Sequence, residues 1–233
     1  MKVDTAVILA GGLGTRLRSV VSDRPKPMAN VGNRPFLQYL VDRLTSSGFS
    51  NIIICVSYMK DKIIDYFGRY DARIRFSVEE EPLGTAGALK NAENLLPEQF
   101  IVLNGDSFTP ISYSELVSFH KKNDAKVTIA LSRSNETRYG RVILEGNKIS
   151  GFVEKGSTSS SDFVNAGVYA IEKGVLNYIP NGITYSLEKE LFPELIKKSV
   201  FMLGFDSGVG FIDMGDPSSY AMLQRDPEVW LKQ

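Results

Sequence analysis

The sequence predicts an α/β protein of three layers. A mostly parallel central sheet carries helices on both faces, and a smaller antiparallel part follows it. Three observations predict this. Short runs that are apolar almost throughout, such as Asn51–Ser57 and Phe100–Leu103, suit strands covered on both faces. Segments with apolar residues at helical spacing alternate with those runs through the first half. The second half instead carries a hairpin signal, Gly146-Asn147, between Arg141–Glu145 and Lys148–Glu154.

The elements follow in order. Val3–Ala10 is the first strand, ended by Gly11, Gly12 and Gly14. Pro35 opens a helix whose apolar positions are Phe36, Leu37, Leu40, Val41 and Leu44, and Gly48 closes it. Asn51–Ser57 is the second strand, with Cys55 as a buried thiol. Ile63, Ile64 and Phe67 mark a short helix and Ile74–Val78 a strand. Thr85–Leu96 reads as a helix, then Phe100–Leu103 as a strand running into Asn104-Gly105-Asp106. Ser112–Lys122 reads as a helix with Leu116, Val117 and Phe119 as its apolar face and His120 at its surface or edge. Ala125–Leu131 and Val164–Ile171 are strands, Ser186–Lys197 is a helix, and Phe201–Asp213 holds strand-like pieces. The serine-rich stretch from Gly156 to Ser161 is a surface loop. No linker or repeat interrupts the chain. It reads as one domain over residues 1–233, with a first half of about 1–110 and a second half of about 111–220.

Composition excludes several functions. The chain has 233 residues, 27 basic and 27 acidic, so no net field draws it to nucleic acid or to an anionic membrane. No apolar stretch approaches a membrane span and no signal peptide opens the chain, which predicts a cytoplasmic protein. One cysteine forbids an intrachain disulfide, and a single histidine removes His-rich zinc sites and most Ser–His–Asp schemes.

The richest stretch is Gly11-Gly12-Leu13-Gly14-Thr15-Arg16-Leu17, followed by Pro25-Lys26-Pro27. Glycines after a first strand let backbone N–H groups approach a phosphate, and Arg16 and Lys26 add two cations. Two familiar signatures fail. A dinucleotide fingerprint would place its third glycine where Leu17 stands, and a P-loop would need a lysine after Gly14, which Thr15-Arg16 does not supply. Asp106 and Asp213 each follow an apolar run, where a carboxylate at a strand end points into the ligand crevice of an α/β sheet. Two such aspartates can hold a hard cation such as Mg²⁺ against phosphate oxygens. Asp106 is followed by Ser107 and Phe108, so the Asp-x-Asp pattern of a glycosyltransferase of related fold is missing.

These residues resemble the sugar-phosphate nucleotidylyltransferase family. The likeness runs through GGLGTRLRSVVSDRPKPM (Gly11–Met28), EPLGTAGAL (Glu81–Leu89), NGDSF (Asn104–Phe108), Tyr139-Gly140, Glu154-Lys155, NAG (Asn165–Gly167) and FIDMGDP (Phe211–Pro217). It covers essentially residues 1–220 and implies the nucleotide-diphospho-sugar transferase fold, which is Rossmann-like. Within the family, RSVVSDRPKPMA, the short chain and the EPLGT loop are similar to the D-glycero-D-manno-heptose 1-phosphate guanylyltransferases. No left-handed β-helix follows Asp213, which predicts a single activity. The resemblance implies GTP and a sugar 1-phosphate as substrates and Mg²⁺ as cofactor, and it leaves a homodimer open. It assigns catalysis to Arg16, Lys26, Asp106 and Asp213, the two aspartates also holding the metal. The nucleotide falls to Leu9, Ala10, Gly11, Gly12, Gly14, Thr15, Arg16, Glu80, Glu81, Gly84 and Thr85. The sugar phosphate falls to Asn104, Tyr139, Gly140, Glu154, Lys155 and Asn165.

Base choice rests on donor matching. Guanine presents two adjacent donors, which one carboxylate within Glu79–Glu81 can accept together. Two alternatives stay open: mannose, glucose or N-acetylmuramic acid 1-phosphate with GTP, UTP or dTTP, and a non-catalytic nucleotide-sugar sensor.

Overall fold

Ala6 and Ile8 of the first strand pack into one face of the core and Val7 into the other, so this strand is covered on both sides. The structure, a computed structural model, describes residues 3–136, 138–153, 161–215, 217–227 and 231. In chain order its first half holds β1 (Thr5–Leu9), β2 (Asn30–Val31), β3 (Arg34–Pro35), α1 (Phe36–Ser46), β4 (Asn51–Val56), α2 (Lys60–Phe67), β5 (Ile74–Val78), α3 (Gly84–Asn91), β6 (Gln99–Asn104) and β7 (Ser107–Phe108). The second half holds α4 (Tyr113–Lys122), β8 (Val127–Arg133), β9 (Arg141–Glu145), β10 (Lys148–Val153), β11 (Phe163–Glu172), α5 (Phe192–Lys197), β12 (Met202–Asp206), β13 (Ile212–Asp213) and α6 (Pro217–Arg225).

Among the described residues a nine-stranded sheet runs in the order β5-β4-β1-β6-β11-β8-β12-β10-β9. The pairs β5–β4, β4–β1 and β1–β6 are parallel, as expected of the first half. Beyond β6 the sheet is mixed. β11 lies antiparallel to β6 and β8, β12 lies parallel to β8, and the β9–β10 hairpin turns at Gly146. β9 also pairs back onto β11, which curls this end of the sheet. The helices α1, α2 and α4 cover one face with Leu40, Phe67 and Leu116, and α3 and α5 cover the other with Leu89 and Leu195. That is the three-layer arrangement the sequence predicts.

Three expectations need correction. The helix over 85–96 is broken: α3 stops at Asn91, and a 3-10 turn over Glu93–Leu95 finishes it. The helix over 186–197 opens as a π-turn, Leu187–Leu191, before α5. Pro193, which has no N–H to donate, sits in the first turn of α5, and Ser186 caps the π-turn by accepting the Lys189 N–H. His120 is not at the surface. It is 1% exposed, on the same stripe of α4 as Tyr113 and Leu116, and its Nδ1 lies 2.9 Å from Thr128 Oγ1. Burial pushes its pKa down to about 4.

Candidate active site

The glycine loop leaves β1 at the C-terminal end of the parallel strands. Gly14 has φ +60°, and a Cβ there would stand 2.9 Å from Lys26 Cβ. Only glycine allows both that backbone and that approach. The 3-10 turn Thr15–Leu17 follows, anchored by Leu17, which is buried, and it sends Arg16 outward. A second 3-10 turn, Lys26–Met28, lies against the loop and is buried throughout.

Lys26 ends between the two aspartates. Its Nζ lies 2.5 Å from Asp106 Oδ2 and 3.8 Å from Asp213 Oδ1. Asp106 is placed by Gly105, whose N–H donates to Leu9 O at 2.9 Å; a Cβ on Gly105 would meet that oxygen at 2.6 Å. Asp213 arrives from a segment far along the chain. The two-residue ribbon β7–β13 aligns Asp213 with Ser107, and the Met214 N–H donates to Asp106 O at 2.8 Å. Asp213 Oδ1 also accepts the Gly215 N–H at 2.6 Å. Burial and the neighbouring Asp106 charge raise the Asp213 carboxyl pKa, while Lys26 and Arg16 pull it down. The site therefore holds two carboxylates close together with a buried ammonium between them.

Two clefts meet at this point, of about 480 Å³ and about 410 Å³, and Arg16, Asn104 and Asp106 line both. Leu9, Gly11, Gly12, Gly14, Thr15, Gly84 and Thr85 line the first cleft, as does Lys26. Tyr139, Gly140, Asn165 and Asp213 line the second. Tyr139 packs on Phe211 there, with ring centroids 4.9 Å apart. Ala10 lies behind the first cleft, where its N–H donates to Cys55 O at 2.9 Å. Glu154 and Lys155 fall outside the described residues, as does the loop from Gly156 to Ser160.

The acidic turn differs from expectation. Glu80 is a solvent-facing side chain, 87% exposed and paired with Lys60 at 3.4 Å, and Glu81 is also exposed. Glu79 faces the first cleft instead and is 3% exposed. Its Oε2 accepts the Leu83 N–H at 2.9 Å, whereas its Oε1 is buried and takes no hydrogen bond from the described residues. Burial raises its pKa. The alternation of β5 gave no signal for this, because its apolar residues Ile74, Phe76 and Val78 share a face with Glu80; Glu79 instead continues the face of buried Ser77, and its N–H bonds Val56 O at 2.9 Å. Sequence reasoning also missed Ser186, Glu188 and Lys189 of the π-turn, which line the second cleft. No local pattern marks them, because that wall is made by the break in the helix.

The chemistry of such a place is that of polyanions. A cradle of backbone N–H groups, a guanidinium on the shared wall and an ammonium held by two carboxylates can align two phosphate-bearing molecules and bear growing negative charge.

Known proteins share this arrangement of sequence and fold. The family model described as nucleotidyl transferase matches residues 5–228. The chain is 38% identical over 226 residues to the D-glycero-alpha-D-manno-heptose 1-phosphate guanylyltransferase of Aneurinibacillus thermoaerophilus, covering 95% of this chain and 97% of that one. It is 38% identical over 226 residues to the mannose-1-phosphate guanyltransferase of Aspergillus oryzae, covering 92% of this chain but spanning only 62% of that longer protein. The crystal structure of HddC from Yersinia pseudotuberculosis complexed with GMP-PN superposes with a TM-score of 0.83 at 33% identity, covering 95% of this chain and 98% of that one.

Proposed function

The chain belongs to the nucleotidyl transferase family, and from that premise we propose that it transfers the guanylyl group of GTP to D-glycero-α-D-manno-heptose 1-phosphate. The products are GDP-heptose and pyrophosphate. One observation carries the reading: Lys26 is held between Asp106 and Asp213 where the two clefts meet, with Arg16 on the wall of both. The first cleft takes the nucleotide and the second the sugar 1-phosphate. The relative named for heptose is matched over nearly its whole length, which favours heptose over mannose.

In this reading an oxygen of the sugar phosphate attacks the α-phosphorus of GTP. A new P–O bond forms there as the bond from that phosphorus to the β-phosphate's bridging oxygen breaks, and pyrophosphate leaves. The nucleophile is already an anion at neutral pH, so no side chain has to take a proton. Lys26 faces the α-phosphate and the incoming sugar phosphate and cancels part of their repulsion. Arg16 grips the triphosphate and meets the charge that grows on the leaving group. Asp106 and Asp213 fit a hard divalent cation: they are two carboxylates brought together across the chain, and one of them is held by a backbone N–H. Among the described residues no third carboxylate or histidine joins them, which suits Mg²⁺, an ion commonly bound by one or two carboxylates plus substrate phosphates. Held by Asp106 and Asp213, Mg²⁺ would supply charge neutralisation to the phosphate oxygens. No described helix is long and apolar enough to cross a membrane, and a GTP-consuming reaction belongs in the cytoplasm.

Glu79 supports guanine as the base. Its buried Oε1 accepts no hydrogen bond from the described residues, and guanine offers N1–H and an exocyclic amine side by side. Adenine would set a lone pair against that carboxylate, at a cost of about 1–3 kcal/mol, or roughly 10- to 100-fold in kcat/KM.

The test is pyrophosphate release from GTP, ATP, UTP and dTTP against heptose, mannose and glucose 1-phosphates, with Mg²⁺ and with EDTA. GTP with heptose 1-phosphate and Mg²⁺ is expected to lead, and Glu79→Gln is expected to weaken GTP selectively. Equal use of UTP or dTTP, or an unchanged base ratio in Glu79→Gln, overturns the guanine assignment. Full turnover in EDTA overturns the metal.

A further inference from the structure

β11 is interrupted between Asn165 and Tyr169. Asn165 pairs with Leu131 and Tyr169 with Ile129, so five residues of β11 oppose three of β8. In a regular strand residues four apart share a face but stand ~13 Å apart. Here Asn165 Nδ2 donates to the Tyr169 hydroxyl at 2.8 Å, so the strand is folded back on itself. Gly167 makes the bend with φ +75°, and its N–H donates to Asn165 Oδ1 at 2.9 Å. Bulges of this kind re-aim side chains near functional sites.

The Tyr169 hydroxyl has a second partner. It donates to Glu188 Oε1 at 3.1 Å, across from the π-turn. Glu188 Oε2 accepts from Thr85 Oγ1 at 3.2 Å and from Ser186 Oγ at 3.0 Å. Thr85 Oγ1 in turn accepts the Leu187 N–H at 2.8 Å. Asn165 and Glu188 line the second cleft and Thr85 the first, while Tyr169 is 0% exposed and lines neither. A hydrogen-bonded chain therefore runs from Thr85 in the first cleft to Glu188 in the second, and on through Tyr169, which neither substrate can touch, to Asn165.

We propose that Tyr169 is a positioning residue: its hydroxyl sets the Asn165 amide and the Glu188 carboxylate for the sugar 1-phosphate and couples Asn165, through Glu188, to Thr85 on the nucleotide side. The inference rests on the assignment of the clefts to nucleotide and sugar phosphate made above. Burial and the Glu188 carboxylate push the phenol well above its ordinary pKa, so it stays a donor at every working pH. The ring itself is held independently, packed against Phe192 with centroids 5.6 Å apart. Removing the oxygen thus cuts Asn165 off from Glu188 and Thr85 and keeps the packing.

The experiment compares Tyr169→Phe, Thr85→Val, Thr85→Ser and the Tyr169→Phe/Thr85→Val double variant in steady-state pyrophosphate release. GTP and D-glycero-α-D-manno-heptose 1-phosphate are varied separately. If the wild type turns over only α-D-mannose 1-phosphate, that sugar is used. Tyr169→Phe is expected to raise the KM for the sugar 1-phosphate about tenfold, the worth of one well-made hydrogen bond, with the KM for GTP within twofold. Thr85→Val is expected to raise the sugar KM several-fold although Thr85 lies in the other cleft, and Thr85→Ser to restore it. The double variant is expected to fall well short of the product of the single effects. A Tyr169→Phe enzyme that melts earlier with unchanged KM values, a Thr85→Val effect confined to GTP, or a strictly multiplicative double variant overturns the link. Should Tyr169→Phe fail to fold, the Thr85→Val and Thr85→Ser pair decides alone. A wild type that turns over no pair of substrates overturns the cleft assignment, and the inference falls with it.

Discussion

Lys26→Met removes the ammonium held between Asp106 and Asp213 and leaves the volume nearly unchanged. The Lys26 side chain is 7% exposed, against 34% for Asp106 and 17% for Asp213, so the lost partner leaves one mostly buried carboxylate facing a partly hydrated one. Breaking a buried pair on one side costs ~3–5 kcal/mol, and the water reaching Asp106 argues for the lower end. About 3 kcal/mol at neutral pH corresponds to a melting temperature lower by roughly 6–12 °C in a chain of this size. The deficit is expected to depend on pH in a definite sense. Asp213 already holds its proton above the ordinary value of 3.8, through burial and the Asp106 charge. Without Lys26 it holds it more tightly, so above about pH 4 the folded variant carries more protons than its unfolded chain. Its stability is then full at low pH and is lost as pH rises through that window. Urea melts of wild type and variant in EDTA between pH 4.5 and 8 measure this. The gap should be small at the acid end and reach its full size near pH 7.5, while turnover with Mg²⁺ falls ~10²- to 10³-fold. A gap that is the same at every pH, or one below ~0.5 kcal/mol at pH 7.5, the worth of an exposed pair, refutes the reasoning.

Two further outcomes follow from other parts of the fold. His120 is buried with its pKa lowered from 6.5 to about 4, so the folded state favours the neutral ring. Stability should be full above pH 6.5 and fall by about 3 kcal/mol as pH drops toward 4; His120→Gln, measured by thermal melts across that range, should show a shallower acid slope, and an identical slope would count against it. Gly215→Ala sets a new Cβ 2.5 and 2.7 Å from the two Asp213 oxygens and 2.9 Å from Arg16 Nη2. Both side chains must move, so kcat should drop on the order of 100-fold, as for other displacements of about 1 Å, with little change in melting temperature; unchanged kcat would show that neither group needs its place.

What the sequence disclosed depended on how local each signal was. The glycine loop with Arg16 and Lys26 was legible because strand, loop and cations lie within one short stretch. Asp106 and Asp213 were legible one by one as strand-end carboxylates. Their meeting was not, because it depends on β7–β13, a ribbon of two residues on each side. Glu79 was hidden among three consecutive glutamates. The alternation of β5 chooses among them only once that strand's register on β4 is known. His120 was misread because Phe119 looked like part of the buried stripe, whereas the stripe runs Tyr113, Leu116, His120. The Tyr169 chain shows where a sequence reading of this kind ends. Strict period-two counting puts Asn165 and Tyr169 on one face and far apart, and helical counting over 186–197 puts Glu188 on an ordinary helix. Both counts fail at a defect, the bulge at Gly167 and the π-turn before Pro193. Each defect is capped locally, by the Gly167 N–H on Asn165 Oδ1 and by Ser186 on the Lys189 N–H, and the bond from Tyr169 to Glu188 joins the two. The irregular elements therefore meet across the fold, which no pattern confined to either segment can reveal.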